Sequence, residues 1–160
     1  MYEKLRNFIF PVVSNPRVGL AILLLRLFVG IAFIQHGSGK LLHPSEFAAE
    51  FGIPFWLGLA AMLTQLVGGI LLIIGALTPL AALGIAGTMI PATFFLLQRG
   101  EPFINPAGHS WENSAFYTIA GICLALSGAG TWSLDAWLFS GQRNTMATGL
   151  NRAARSAASR

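Results

Sequence analysis

Polar residues in this chain gather into short islands between long apolar runs. The first run, Val18 to Lys40, holds twelve Leu, Ile, Val and Phe residues around an internal arginine, Arg26. A membrane-spanning helix needs about 20 predominantly apolar residues. A central arginine costs roughly 2.5–3.5 kcal/mol on insertion scales. Twelve apolar residues at about −0.3 to −0.6 kcal/mol each offset this with about −5 kcal/mol, so the run is expected to insert. Phe55 to Leu77 and Leu80 to Gln98 are the second and third runs, and Thr78-Pro79 turns between them to make a helical hairpin. Asn113 to Leu126, reaching Gly128, forms a fourth. Between the first two runs, Phe47, Ala48 and Phe51 alternate with Glu46 and Glu50, and Gly52 and Pro54 close the segment. That pattern predicts a short interfacial helix followed by headgroup-level anchors, Phe55 and Trp56. Arg99 to Glu112 has no helical period and is expected to fold over one end. The fold predicted is all-α, an integral membrane four-helix bundle with a short interfacial helix between spans 1 and 2. Residues 1–17 read as a cytoplasmic interfacial lead-in, 18–140 as the four-span domain, and 141–160 as a flexible basic tail weakly attracted to anionic lipid.

Charge sharpens this picture. Only 10% of residues are charged and 54% are hydrophobic, against about 25% charged in a soluble domain. No charged residue occurs between Phe51 and Gln98 or between Asn113 and Leu134. The cations cluster in the two tails, at Lys4, Arg6 and Arg17 and at Arg143, Arg152, Arg155 and Arg160. By the positive-inside rule both termini are cytoplasmic, in a multi-pass protein of the cell inner membrane. The net charge of +4 is explained by topology and implies no nucleic-acid partner. One cysteine, Cys123, excludes an intramolecular disulfide or a CxxC redox centre. No cleavable signal peptide, nucleophile triad, phosphate loop or dinucleotide fingerprint is visible.

Candidate chemistry centres on the first run. At 100° per residue, Arg26, Gly30, Phe33, Gly37 and Lys40 share one stripe, with His36 to one side. Intramembrane charges face a bundle interior and are functional candidates by default. Arg26 could hold an anionic or carbonyl-bearing ligand such as a lipid headgroup or a quinone, be tied to Gln or Glu side chains and carbonyls of neighbouring helices, or snorkel to the surface. Gln65 in the second span is its expected first partner. Glu112 opens the fourth span, where the helix dipole favours a carboxylate. His36, His43 and His109 fall at the outer end with Glu46, Glu50, Glu101 and Glu112, a set that could bind metal, form surface ion pairs or relay protons.

Three stretches carry a resemblance. They are LLLRLFVGIAFIQHGSGKL, then FGIPFWLGLAAMLTQLVGGILLIIGALTPLAALGIAGTMI, then SWENSAFYTIAGICLALSGAGTWSLDAWL. The arrangement Arg26, Gly30, His36, Gly37 and Lys40, the pair Trp111-Glu112, and the closing Ser133-Leu134-Asp135 resemble the DoxX family of small membrane proteins. The resemblance implies a four-helix membrane bundle linked to membrane redox systems; the family name comes from a subunit of a thiosulfate:quinone oxidoreductase. Many members are similar except for a glutamate where this chain has Gln65. The expectation is an inner-membrane subunit or quinone-binding module of a membrane redox system. Arg26, His36, Lys40, Gln65 and Glu112 would line its site, and a partner protein would supply electrons. Membrane lipid and a second copy of the chain are further expected partners. No flavin or metal motif is evident, so at most the chain is an oxidoreductase subunit. The alternative is a non-catalytic scaffold or a small-solute or metal transporter using the outer His/Glu cluster.

Overall fold

Backbone groups in lipid must be satisfied within the chain, and a helix does this for each apolar run on its own. A computed structural model describes residues 15–41, 43–106 and 108–138. It contains α1 (Pro16–Leu41), α2 (Pro44–Glu50), α3 (Phe55–Ile74), α4 (Thr78–Gln98) and α5 (Glu112–Ser127), then a helical turn over 134–138. Among the described residues there is no strand. The expected basic tail at 141–160 lies outside the described residues, as does the expected lead-in up to residue 14.

Helices α1, α3 and α4 are long and apolar enough to cross a membrane. Helix α5 has 16 residues, about 24 Å at 1.5 Å per residue, against a hydrocarbon core of about 30 Å. The short helix expected between the first two spans is α2, with proline at its first turn. Helix α3 stops at Ile74, before the expected Leu77, because Gly75 takes a left-handed φ of 70° and ends it.

Helices α1 and α3 run antiparallel and touch backbone to backbone. A Cβ on Gly30 would lie 2.8 Å from the Gly69 carbonyl oxygen, and one on Gly69 would lie 2.7 Å from that of Gly30. Seven residues along α1, Gly37 lies as closely against Leu66. Small residues let helices approach this far, which supplies packing where lipid removes the hydrophobic drive. Helices α4 and α5 also run antiparallel: Gly121 faces Ala82 and Ala86, and the hydroxyls of Thr93 and Ser114 lie 2.9 Å apart. Val29, Phe33, Leu72, Ala82, Ile85 and Leu124 form the fully enclosed centre. The opposite faces carry exposed apolar side chains at helical spacing, such as Leu20, Leu24, Phe28 and Ile31 on α1 and Leu63, Val67, Ile70 and Ile74 on α3. These faces require lipid around them.

Candidate functional site

The helix register places the two cations of α1 at opposite ends of the bundle. Arg26 and Lys40 are fourteen positions apart, roughly 21 Å along the helix. Gly30 faces Gly69 and Ile73 while Gly37 faces Leu66, so Arg26 falls level with the end of α3 and Lys40 level with Gln65. Arg26 therefore does not meet Gln65.

Arg26 is 1% exposed, and its guanidinium is ringed by backbone carbonyls. Nε donates to Leu72 O at 2.8 Å and one terminal nitrogen to Ile73 O at 3.1 Å. The other donates to Ala129 O at 2.5 Å and Trp132 O at 3.0 Å. Leu72 and Ile73 lie in the last turn of α3, where carbonyls have no intrahelical partner. A cation at a helix C-terminus also meets the negative end of the dipole. Arg26 thus caps α3 from another helix and clasps the 129–132 loop to it. Gly75 has no side chain where the guanidinium passes; a Cβ there would collide with it.

Asp135 does the converse for α4. Residue Leu77 precedes that helix at φ 48° and offers no side-chain cap. The Asp135 carboxylate, 5% exposed, accepts from Leu77 N at 2.8 Å and Thr78 N at 3.0 Å. The Asp135 amide donates to Gly75 O at 2.9 Å. Arginine and aspartate thereby complete the two halves of one helical hairpin. Asp135→Ala is expected to cost about 0.5–2 kcal/mol, the range for a lost helix cap; thermal unfolding in detergent measures it.

The other end holds a cavity of about 380 Å³ between α2, α3, α4 and the end of α1. Its walls are apolar, including Phe47, Phe51, Leu57 and Met89, and Lys40, Gln65 and Thr88 are its polar edge. Lys40 Nζ donates to Gln65 Oε1 at 3.2 Å. Gln65 Nε2 donates to Thr88 Oγ1 at 3.4 Å, and Thr88 donates to Ile85 O at 2.8 Å. Lys40 also stands 4.7 Å over the Phe47 ring. From there a ladder runs to Phe51 at 4.8 Å and Phe95 at 4.3 Å, capped by Arg99 at 4.3 Å. The ladder holds α2 against α4 and closes one side of the cavity.

Of the five residues expected to line a ligand site, the structure brings together Lys40 and Gln65. Arg26 lies within the clasp. His36 packs against Phe33 and Tyr117, with ring centroids 5.8 and 6.1 Å away. Glu112 begins α5, its amide bonded to Phe103 O. The three histidines do not converge: His43 pairs with Glu46 at 3.6 Å on the surface, and the His109 carbonyl accepts from Asn105. Among the described residues no group of three or more His, Cys, Asp or Glu could hold a metal ion. Two residues of consequence carry little signal in the sequence. Asp135 stands there as the end of a closing Ser-Leu-Asp, and Thr88 belongs to no motif.

The DoxX family model matches residues 21–98. An uncharacterized protein of Haemophilus influenzae is 33% identical over 125 residues, 72% of this chain and 88% of that protein. The chain belongs to the DoxX family. A second relative, from Bacillus subtilis (strain 168), bears the name "Putative oxidoreductase CatD" and is 29% identical over 133 residues, 81% of this chain and 96% of that protein. No solved structure matches. The DoxX match takes in Arg26, Lys40, Gln65 and Thr88 and the α1–α4 frame from residue 21 onward. Asp135 lies beyond it, although its bonds reach back to Leu77 and Thr78 inside it.

Proposed function

We propose that this DoxX-family protein is a quinone-binding module or subunit of a membrane redox system. It resides in the inner membrane with both termini cytoplasmic, and α5 completes a fourth crossing. Antiparallel packing of α5 along α4, from Thr93 at one end to Ala82 at the other, supports that crossing.

The observation that carries the ligand reading is the cavity at the Lys40 end. Ligand sites are apolar clefts of about 300–1,000 Å³ with a few placed polar groups. Here a 380 Å³ apolar space meets an ammonium and a carboxamide on one edge. An aromatic carbonyl compound with a hydrophobic tail suits such a space: its ring and tail replace lipid contacts, and its oxygen accepts from Lys40 and Gln65. The oxidoreductase named among the relatives points the same way. Bound quinone would supply the electron-accepting chemistry, and the chain's own residues would bind it, orient it and keep it from water. Electrons would arrive from a partner protein. A scaffold reading gains from the structural role of Arg26, but gives no reason for a cation at the edge of an apolar cavity.

The test is quantitative mass spectrometry of quinones extracted from protein purified in mild detergent from its own membranes. Native protein is expected to carry quinone near one equivalent, and Lys40→Met at least tenfold less with unchanged thermal unfolding. Absence of quinone from well-folded native protein would overturn the proposal.

A further inference from the structure

The polar edge of the cavity has a definite sense. Lysine has N–H donors and no acceptor, so the Gln65 oxygen must face Lys40 and its NH2 group must face Thr88. Thr88 reinforces this. Its only proton goes to Ile85 O at 2.8 Å, leaving the hydroxyl oxygen to accept from Gln65. Thr64, on the same wall, has likewise turned its proton to Ala60 O at 2.8 Å. The ammonium has three N–H bonds and the carboxamide two, and the contacts to Gln65 and Thr88 engage one of each. The unengaged N–H groups, two on the ammonium and one on the carboxamide, are what this edge offers to a ligand. The acceptors beside them are neutral and partly engaged: the Thr64 and Thr88 hydroxyl oxygens and the Gln65 carbonyl oxygen, which already takes the Lys40 contact.

We propose that this edge selects the oxidised carbonyl form of a quinone over its hydroquinone, with Thr88 as the positioning residue that anchors the Gln65 NH2 group in the sense Lys40 sets. The inference rests on the quinone reading above and specifies which redox form the site holds. A carbonyl oxygen accepts from Lys40 and Gln65 with no proton of its own to place. A hydroquinone brings two O–H donors to an edge whose strong groups also donate. Charge-assisted hydrogen bonds are about twice as strong as neutral ones, so the loss falls on the strongest contact. The oxidised form is expected to bind at least tenfold more tightly. A tenfold preference lowers the potential of a bound two-electron couple by about 30 mV.

The experiment is anaerobic binding of a short-chain benzoquinone and of its dithionite-reduced hydroquinone to the full-length protein in nanodiscs. Tryptophan fluorescence quenching reports binding, and microscale thermophoresis supplies an independent reading. Native protein should favour the quinone tenfold or more. Thr88→Val, which keeps shape but removes the acceptor that anchors the Gln65 NH2 group, should cut that preference to threefold or less, and Thr88→Ser should restore it. A purely structural role for Thr88 would weaken both forms equally and leave the ratio unchanged, which would overturn its assignment. Equal affinity of native protein for both forms would overturn the selectivity while leaving quinone binding intact. Binding of neither form would overturn both.

Discussion

Arg26→Met is expected to remove a large share of the protein's stability. Four carbonyls, of Leu72, Ile73, Ala129 and Trp132, lose their donor at once. A buried group stripped of its partner costs about 1–3 kcal/mol. Even if repacking or water recovers half of them, about 2–6 kcal/mol is lost from a total stability that is typically about 5–15 kcal/mol. Asp135 would also keep its buried negative charge with the nearby cation gone. Arg26→Lys should fall between the two, because an ammonium is a point charge and cannot reproduce a planar fork of five N–H groups. Thermal unfolding in detergent, read by circular dichroism and by retention of a single chromatographic peak, should rank native above lysine above methionine. A methionine variant as stable as native protein would show that the clasp does not hold the bundle.

Gly30→Val is the second large expectation. The first added atom falls 2.8 Å from the Gly69 carbonyl oxygen and 2.7 Å from an Ile73 side-chain carbon. A backbone oxygen cannot rotate aside, so α1 and α3 must separate along the length over which they touch. Overpacking a tight interface costs about 1–3 kcal/mol and occasionally more, and this site belongs at the upper end. Gly39→Val on the same helix is the matched control, since nothing lies within 4 Å of its added Cβ. It should cost no more than about 0.5 kcal/mol, and nothing if valine's helix propensity outweighs that of glycine. Equal losses at the two positions would mean that the interface tolerates separation.

The sequence made some of this visible and hid the rest for identifiable reasons. Helical geometry alone put Arg26, Gly30, Phe33 and Gly37 on one stripe, and all four are buried. Gly30 and Gly37 leave that stripe without side chains at two positions, and there α1 meets α3 backbone to backbone, Gly30 against Gly69. The partner of Arg26 could not be read this way. Backbone carbonyls leave no mark in a sequence, and the α1–α3 register depends on where Gly75 ends the helix. A side chain that looks mid-membrane from its place in an apolar run lies level with a helix end, because α1 is 26 residues long and its neighbour 20. Gln65 was legible as a buried polar residue, and its true partners, Lys40 and Thr88, follow from the same register. The histidines shared an end of the bundle but not a site: one lies on α1, one precedes α2 and one sits in the 99–111 loop. Length and composition gave the long helices, whereas the cavity depends on α2 folding back over α3 and α4, which no local pattern specifies.

Photolabelling native protein in its membranes with an azido-quinone, followed by peptide mapping, tests most directly whether a quinone occupies the cavity at the Lys40 end and not the Arg26 end or the His36–Tyr117 cluster. Labels are expected within residues 47–65 and 84–92, competed by unmodified quinone and lost in Lys40→Met. Competed labelling confined to the α1–α5 contact around His36 and Tyr117, untouched by Lys40→Met, would contradict that placement.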